Sequence, residues 1–122
     1  MIGYVTLGTN DLARACDFYD VLLAELGAKR TMQSPRFVAW SNSPKSPAIA
    51  VALPFDGKPA SVGNGVMIAI AVDSHAKVDA LHAKALALGG QNEGDVGERF
   101  PGFYAGYFRD LDGNKLNFLC MG

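Results

Sequence analysis

The chain has 122 residues, of which 49% are hydrophobic and 19% are charged, and its formal net charge is −1. This length suffices for one domain with a sizeable buried core, and the composition excludes intrinsic disorder. Eleven basic and twelve acidic side chains leave no positive surplus for phosphate contacts, so nucleic acid is not an expected partner. The apolar runs are too short to cross a bilayer and no signal-like segment is found, which predicts a cytoplasmic protein without a membrane partner.

The first structural elements are a strand and a long helix. Residues 2–7 alternate in polarity and are rich in Val, Thr and Tyr, which predicts a strand. Thr9 or Asn10 is placed to cap the following helix, with Asp11 in its first turn and Gly27 just beyond its end. The apolar residues of this helix recur every three or four positions: Leu12, Ala15, Cys16, Tyr19, Leu22, Leu23 and Leu26.

Three shorter strands are predicted next, at residues 29–33, 36–41 and 48–54. Ser, Pro and Asn residues separate them and are typical of turns. Residues 55–65 contain three Gly and one Pro, which indicates a linker between two halves of the chain.

The second half starts again with a strand and a helix. Residues 66–72 predict a strand, Ser74 a helix cap, and Gly89-Gly90 the end of that helix. Its apolar stripe consists of Val78, Leu81, Ala85 and Leu88.

The polar, glycine-rich segment 91–102 is predicted to be a short strand plus a flexible loop, and the loop 93–102 is either a lid or only a long connection. Strands at 103–109 and 115–120 are predicted to be joined by a hairpin turn at 112–114, where Gly113 can adopt positive φ.

The two cysteines occupy ordinary core positions. Cys16 falls on the apolar stripe of the first helix and Cys120 at the end of the last strand. We expect both thiols to be reduced and buried, without a disulfide.

The two halves share one order of elements, strand, helix and then strands, with Leu-Gly at each helix end. We infer an internal duplication. The predicted fold class is α+β: two tandem βαβββ modules, at about 1–54 and 66–122 with the linker 55–65, forming within one domain a cupped mixed sheet with the helices outside.

Several motifs together resemble a known family, the vicinal oxygen chelate superfamily of glyoxalase I, bleomycin-resistance proteins and extradiol dioxygenases. The resemblance spans essentially the whole chain and implies the paired-module fold more strongly than any one activity. The motifs are Asn10-Asp11-Leu12, Asp17-Phe18-Tyr19, Leu26-Gly27 and the segment 108–114, which is similar to the family's Asp-Pro-Asp-Gly-Asn turn with Leu111 in place of Pro.

The resemblance also implies where a divalent metal ion would bind. Metal-dependent members use His and Glu side chains on four strands that face a cleft, and the corresponding positions here are Tyr4, Ala52, Met67 and Asn117. None of these is a usual ligand for Zn²⁺, Ni²⁺, Fe²⁺ or Mn²⁺. We therefore expect no metal ion and no other cofactor.

The histidines do not replace this site. His75 and His82 are seven residues apart in the second helix, a rise of roughly 10.5 Å, which is too far for two ligands of one ion. Both are expected on the solvated flank of that helix.

The alternation of side chains along each strand predicts which residues line the cleft. Small residues surrounded by aromatic rings leave room for a small apolar or aromatic molecule, and hydroxyl and amide groups can orient it. The predicted ligand-binding residues are Tyr4, Thr6, Trp40, Ala50, Ala52, Met67, Ala69, Tyr104, Tyr107, Asn117 and Leu119.

Three functions remain open from the sequence. The first is a binding or sequestering protein for a small apolar or aromatic molecule, without catalytic residues. The second is a glyoxalase-like lyase or isomerase, or a dioxygenase-related enzyme, with a rebuilt site, with or without a metal ion, and with Tyr4 as acid or base. The third is a structural or regulatory homodimer without a ligand. The resemblance implies a homodimer in each case.

Overall fold

The computed structural model describes all residues, 1–122, and contains two α-helices and eight β-strands. The chain divides into two compact units, Met1–Val62 and Gly63–Gly122, and the division falls within the segment 55–65. Neither helix has the length and apolar character needed to span a membrane.

Unit 1, Met1–Val62, has one helix and a four-stranded mixed sheet. The strand order is β1-β4-β3-β2, with β1 parallel to β4 and the other neighbours antiparallel. Its elements are β1 (Tyr4–Gly8), α1 (Leu12–Ala24), β2 (Lys29–Ser34), β3 (Phe37–Ser41) and β4 (Ala48–Ala52).

Unit 2, Gly63–Gly122, repeats this topology. Its strand order is β5-β8-β7-β6, with β5 parallel to β8 and the other neighbours antiparallel. Its elements are β5 (Ile68–Ala71), α2 (His75–Ala87), β6 (Gln91–Phe100), β7 (Phe103–Arg109) and β8 (Lys115–Met121). The predicted pair of βαβββ modules is confirmed.

Each unit has its own apolar core between its helix and one face of its sheet. Large apolar side chains removed from water supply most of the favourable free energy of folding. In unit 1 the core includes Leu7, Tyr19, Leu22, Trp40 and Val51, and in unit 2 it includes Val78, Leu81, Phe108, Leu116 and Phe118. We call the other side of each sheet the open face, because the unit's own helix does not cover it.

The start of α1 differs from the prediction. Asp11 is the N-cap, and its side chain accepts a hydrogen bond from the backbone N–H of Arg14 at 3.0 Å. Neither predicted cap is available for this role. Asn10 exchanges two hydrogen bonds with the backbone of Ala60, and the Thr9 hydroxyl contacts the backbone of Asp11.

The other helix ends are as predicted. Ser74 caps α2 by accepting a hydrogen bond from the N–H of Lys77 at 3.1 Å. Gly27 and Gly89 follow the two helices with φ of 72° and 104°, values that favour glycine. Cys16 and Cys120 are free and buried, with 5% and 6% of their surface exposed.

Residues 91–100 do not form a short strand and a flexible loop. They form the ten-residue strand β6, which pairs with β7 through three register shifts. A register shift lies on each side of Gly94, and the second of these ends at Gly97. Both glycines are therefore part of a bulged strand and not of a hinge. The turn into β7 follows, with Gly102 at φ of 83°. The prediction of a flexible loop at 93–102 is therefore wrong.

Strand β5 also begins later than predicted, at Ile68. Its parallel partner β8 starts at Lys115, and the first paired residues are Ile68 and Leu116. Val66 and Met67 precede this pairing, so Met67 lies just before the strand and is 41% exposed.

His82 lies in the core of unit 2 and not on a solvated flank. It is 6% exposed, and its Nε2 lies 3.0 Å from the backbone oxygen of Tyr107 and 3.2 Å from Oδ1 of Asn92. Both partners are acceptors, so Nε2 carries the proton. A glycine opposite allows this packing: a Cβ built at Gly106 would lie 2.9 Å from Cδ2 of His82 and 2.7 Å from Cγ1 of Val96.

We predict that Gly106→Ala lowers the free energy of unfolding by about 1–3 kcal/mol, because the added methyl group overpacks the contact with His82. Chemical denaturation measures the loss. Gly3→Ala is the matched control, since nothing lies within 4 Å of a Cβ at that position. Equal stabilities of the two variants would contradict the packing described here.

Candidate functional site

The open face of unit 1 carries four of the predicted ligand-binding residues. Thr6 lies opposite Ala50 in the parallel pair of β1 and β4. Tyr4 is 61% exposed, and its ring meets that of Phe37 edge-on at a centroid distance of 5.9 Å. Ala52 lies opposite Phe37. Small side chains in the middle of the sheet thus leave space beside two aromatic rings.

A pocket of about 290 Å³ opens beside Tyr4. Its apolar wall consists of Tyr4, Met32, Phe37, Ala39 and Ala48, and its polar side includes Ser41, Ser43 and Ser46. This volume is close to the lower limit for sites that enclose small molecules.

The serine side of this pocket is held by its own hydrogen bonds. The Ser41 hydroxyl donates to the backbone oxygen of Ser43 at 2.8 Å, and the hydroxyl oxygens of Ser43 and Ser46 are 2.7 Å apart. The Ser, Pro and Asn residues of this segment predict only a turn. One signal was present: Ser41 has the same phase along β3 as Phe37 and Ala39, so it belongs to the same face.

The open face of unit 2 brings together Ala69, Tyr107 and Asn117. These residues are directly opposite one another on β5, β7 and β8, and Leu119 follows Asn117 on the same face. Asn117 is 1% exposed, and its Oδ1 has no hydrogen-bond partner. Lys115 Nζ lies 5.5 Å from the centroid of the Tyr107 ring.

Two predicted ligand-binding residues lie on the wrong side of their sheets for this role. Trp40 is 2% exposed in the core beneath α1, and its Nε1 donates to Oδ1 of Asp20 at 2.8 Å. The hydroxyl of Tyr104 donates to Asp79 of α2, and its ring stacks on His75 at 4.1 Å. Neither ring reaches an open face, so both expectations are corrected.

Asp20 fixes the position of Trp40. Besides the indole N–H, its carboxylate accepts hydrogen bonds from Nε and Nη2 of Arg30 at 2.9 and 2.7 Å. The hydrogen bond from Arg30, together with that from Trp40, lowers the pKa of Asp20 below its ordinary value. Helix α1 therefore holds β2 and β3 through one ionised carboxylate.

The four positions implied for a metal ion offer a poor donor set. Tyr4 supplies a phenol, Met67 a thioether, Asn117 one neutral amide oxygen, and Ala52 no donor. Hard and borderline divalent ions prefer carboxylate or imidazole ligands, so these residues do not fit such an ion. The structure forms no group of three or more His, Cys, Asp and Glu side chains that could hold a metal ion.

The strand register refines one of these positions. Tyr4 pairs with Ala48, and Ile68, one residue after Met67, pairs with Leu116. If Tyr4 and Met67 are equivalent by duplication, the counterpart of Asn117 in unit 1 is Ala50 rather than Ala52. Neither alanine has a donor atom, so the chemistry of the set is unchanged.

The comparison with protein families identifies the chain. Residues 1–118 match the model of the Glyoxalase/Bleomycin resistance protein/Dioxygenase superfamily. The chain belongs to this superfamily, as its paired βαβββ units and motifs indicated. A comparison with curated proteins gives no match.

Solved structures support this assignment. A glyoxalase/bleomycin resistance protein from Albidiferax ferrireducens T118 is 35% identical, with a TM-score of 0.91 over 100% of this chain and 99% of that chain. A glyoxalase-related enzyme from Fulvimarina pelagi is 22% identical, with a TM-score of 0.77 over 98% of this chain and 87% of that chain. A lactoylglutathione lyase from Agrobacterium tumefaciens is 22% identical, with a TM-score of 0.70 over 98% of this chain and 92% of that chain. The last two share the fold.

We predict that Asp20→Asn lowers the free energy of unfolding at pH 7 by about 1 kcal/mol, because a partly exposed charge-assisted contact with Arg30 is lost. The lowered pKa of Asp20 stabilises the native protein above about pH 4, and this contribution is lost as the pH falls through the folded-state pKa. In urea titrations, the free energy of unfolding should therefore decrease less between pH 7 and pH 3 for Asp20→Asn than for the wild type. Asp17→Asn, the same carboxylate-to-amide change in the same helix, is the control for the loss of stability at pH 7.

Proposed function

We propose that this superfamily member binds a small apolar or aromatic molecule without a metal ion, and that the pocket on the open face of unit 1 contributes the apolar contacts. The observation that carries the proposal is the pocket of about 290 Å³ beside Tyr4 and Phe37. An exposed ring and an open apolar wall on a sheet face are what such a ligand would cover.

The shape of the pocket suggests how the ligand lies. Tyr4 and Phe37 meet at an interplanar angle of 85°, so a flat ligand can stack on one ring and meet the other edge-on. Ala39 and Ala48 keep the floor shallow, and Ser41 and Ser46, whose hydroxyls form hydrogen bonds within the serine segment, line the polar side. Such contacts select for shape and for one polar substituent rather than for charge.

Binding is favoured over turnover by the chemistry of the same face. An enzyme with Tyr4 as acid or base would need a group that activates its hydroxyl, and the described contact of Tyr4 is with the ring of Phe37. A lyase, isomerase or dioxygenase with a metal ion would need ligands that Tyr4, Met67 and Asn117 do not readily supply.

We also propose that the protein is a homodimer. Several large apolar side chains are exposed in the single chain, among them Ile2 (55%), Met32 (58%), Phe100 (56%) and Met121 (66%). Burial of such side chains against a second copy would be favourable. A homodimer with a structural or regulatory role and no ligand is the alternative that the ligand experiments below address.

We expect Tyr4→Ala to weaken binding of the neutral fluorophore N-phenylnaphthylamine by about tenfold, because one aromatic wall of the pocket is lost. A fluorescence titration measures the affinity. Phe55→Ala is the matched control, since Phe55 is also exposed, at 104%, but does not line the pocket. Equal losses in both variants, or no binding to the wild type, would contradict the proposed site.

Binding without a metal ion is tested by removal of metals. We expect protein dialysed against EDTA to bind the fluorophore with unchanged affinity, because the proposed contacts are apolar or come from neutral hydroxyl groups. The same titration before and after dialysis is the measurement. A loss of affinity that added Zn²⁺ or Ni²⁺ restores would show that a metal ion takes part.

A further inference from the structure

Tyr107, on the open face of unit 2, lies among the charged side chains of β6, β7 and β8. These are the cations Arg99, Arg109 and Lys115 and the carboxylates Glu93, Asp95 and Glu98. Glu93 pairs with Arg109, with the carboxylate 3.1 Å from Nε. Arg99 and Lys115 form no ion pair with a carboxylate. The protein therefore supplies no direct carboxylate partner for either of these two cations.

Both of these cations lie at the same aromatic ring. Cζ of Arg99 is 5.1 Å and Nζ of Lys115 is 5.5 Å from the centroid of Tyr107. The ring attracts each cation, and both keep a positive charge that can attract an anion at this face.

The backbone of β6 positions Arg99 for this contact. Its guanidinium donates to the backbone oxygens of Asp95 and Gly97 at 2.6 and 3.1 Å. Glycine at position 94 makes the space: a Cβ there would lie 3.2 Å from Nη2 of Arg99 and 3.3 Å from Cδ1 of Tyr107. The bulged, glycine-containing strand thus holds a cation against Tyr107.

The buried side chain of Asn117 is a second, independent indication of a ligand on this face. Asn117 is opposite Tyr107 and two residues after Lys115, on the same face, so its Cα is roughly 7 Å from that of Lys115. It is 1% exposed and its Oδ1 accepts no hydrogen bond. A buried acceptor without a donor is unfavourable, which favours a ligand that brings a hydroxyl or an N–H.

We propose that the open face of unit 2 binds a small organic carboxylate that also carries a hydrogen-bond donor. Lys115 and Arg99 hold the carboxylate group beside Tyr107, and Oδ1 of Asn117 accepts a hydrogen bond from the hydroxyl or N–H of the ligand. Ala69, opposite Asn117, leaves space for the apolar part of the molecule. The proposal rests on the proposed function only in taking the open face as the ligand side, and it uses no residue of the unit 1 pocket.

The experiment compares three probes that differ in one group each. N-acetylleucine has a carboxylate and an N–H, N-acetylleucinamide lacks the negative charge, and isocaproate lacks the N–H. We expect calorimetry to give an affinity for N-acetylleucine at least about tenfold above that for either analogue. Equal affinities for N-acetylleucine and its neutral amide, or no binding of N-acetylleucine at millimolar concentration, would overturn the proposal.

Variants assign the contacts. Lys115→Met should weaken N-acetylleucine binding by about tenfold, and Lys115→Arg should restore most of it, since charge is what Lys115 supplies. Asn117→Leu should abolish the preference for N-acetylleucine over isocaproate. Lys84→Met, a change on α2, is the matched control for charge and stability. Equal effects of Lys84→Met and Lys115→Met would overturn the assignment.

Failure here is distinguishable from failure of the proposed function. The neutral fluorophore tests the unit 1 pocket, whereas the difference between N-acetylleucine and its amide tests the cations of unit 2. A protein that binds the fluorophore but does not distinguish the acid from the amide would retain the proposed function and lose the carboxylate site.

Discussion

The covering of one sheet face by one helix is the constraint on which the rest of the structure depends. In unit 1, Leu22 of α1 and Val51 of β4 are 0% and 1% exposed, and in unit 2 the same holds for Val78 of α2 and Phe118 of β8, both 0%. Because side chains alternate along a strand, this burial determines which residues face the other way. The open faces, and with them the proposed binding sites, are what the two cores leave uncovered.

Alternation made much of the fold and part of the site predictable. Tyr4, Thr6 and Asn117 face the predicted way because apolar residues flank them at the opposite phase. In β3 alternation does not show which of the two faces meets the helix, because Val38, Ala39 and Trp40 are all apolar and all buried. There the hydrogen bond from Trp40 to Asp20 of α1 decides the side, and no local pattern encodes a contact across twenty residues.

The remaining differences between the predicted and the observed structure arise from contacts between elements that are distant in sequence. Glycines at 94 and 97 predicted flexibility, but β7 supplies backbone partners and the glycines become part of a bulged strand. The sequence of α2 predicts His82 to be a surface residue. Its ring is buried in the core because Gly106 has no side chain in that space. The contacts of Arg99 and Lys115 with Tyr107 were likewise hidden, because they form only when β6 and β8 pair with β7.

The buried cysteines have a further consequence. Each unit contains one thiol, Cys16 in unit 1 and Cys120 in unit 2, and burial raises the pKa of Cys16 so that the reactive thiolate is scarce in the native state. Alkylation of either sulfur then reports the opening of the unit that surrounds it. The alkylation rates of Cys16 and Cys120 therefore measure the local unfolding of unit 1 and unit 2 separately.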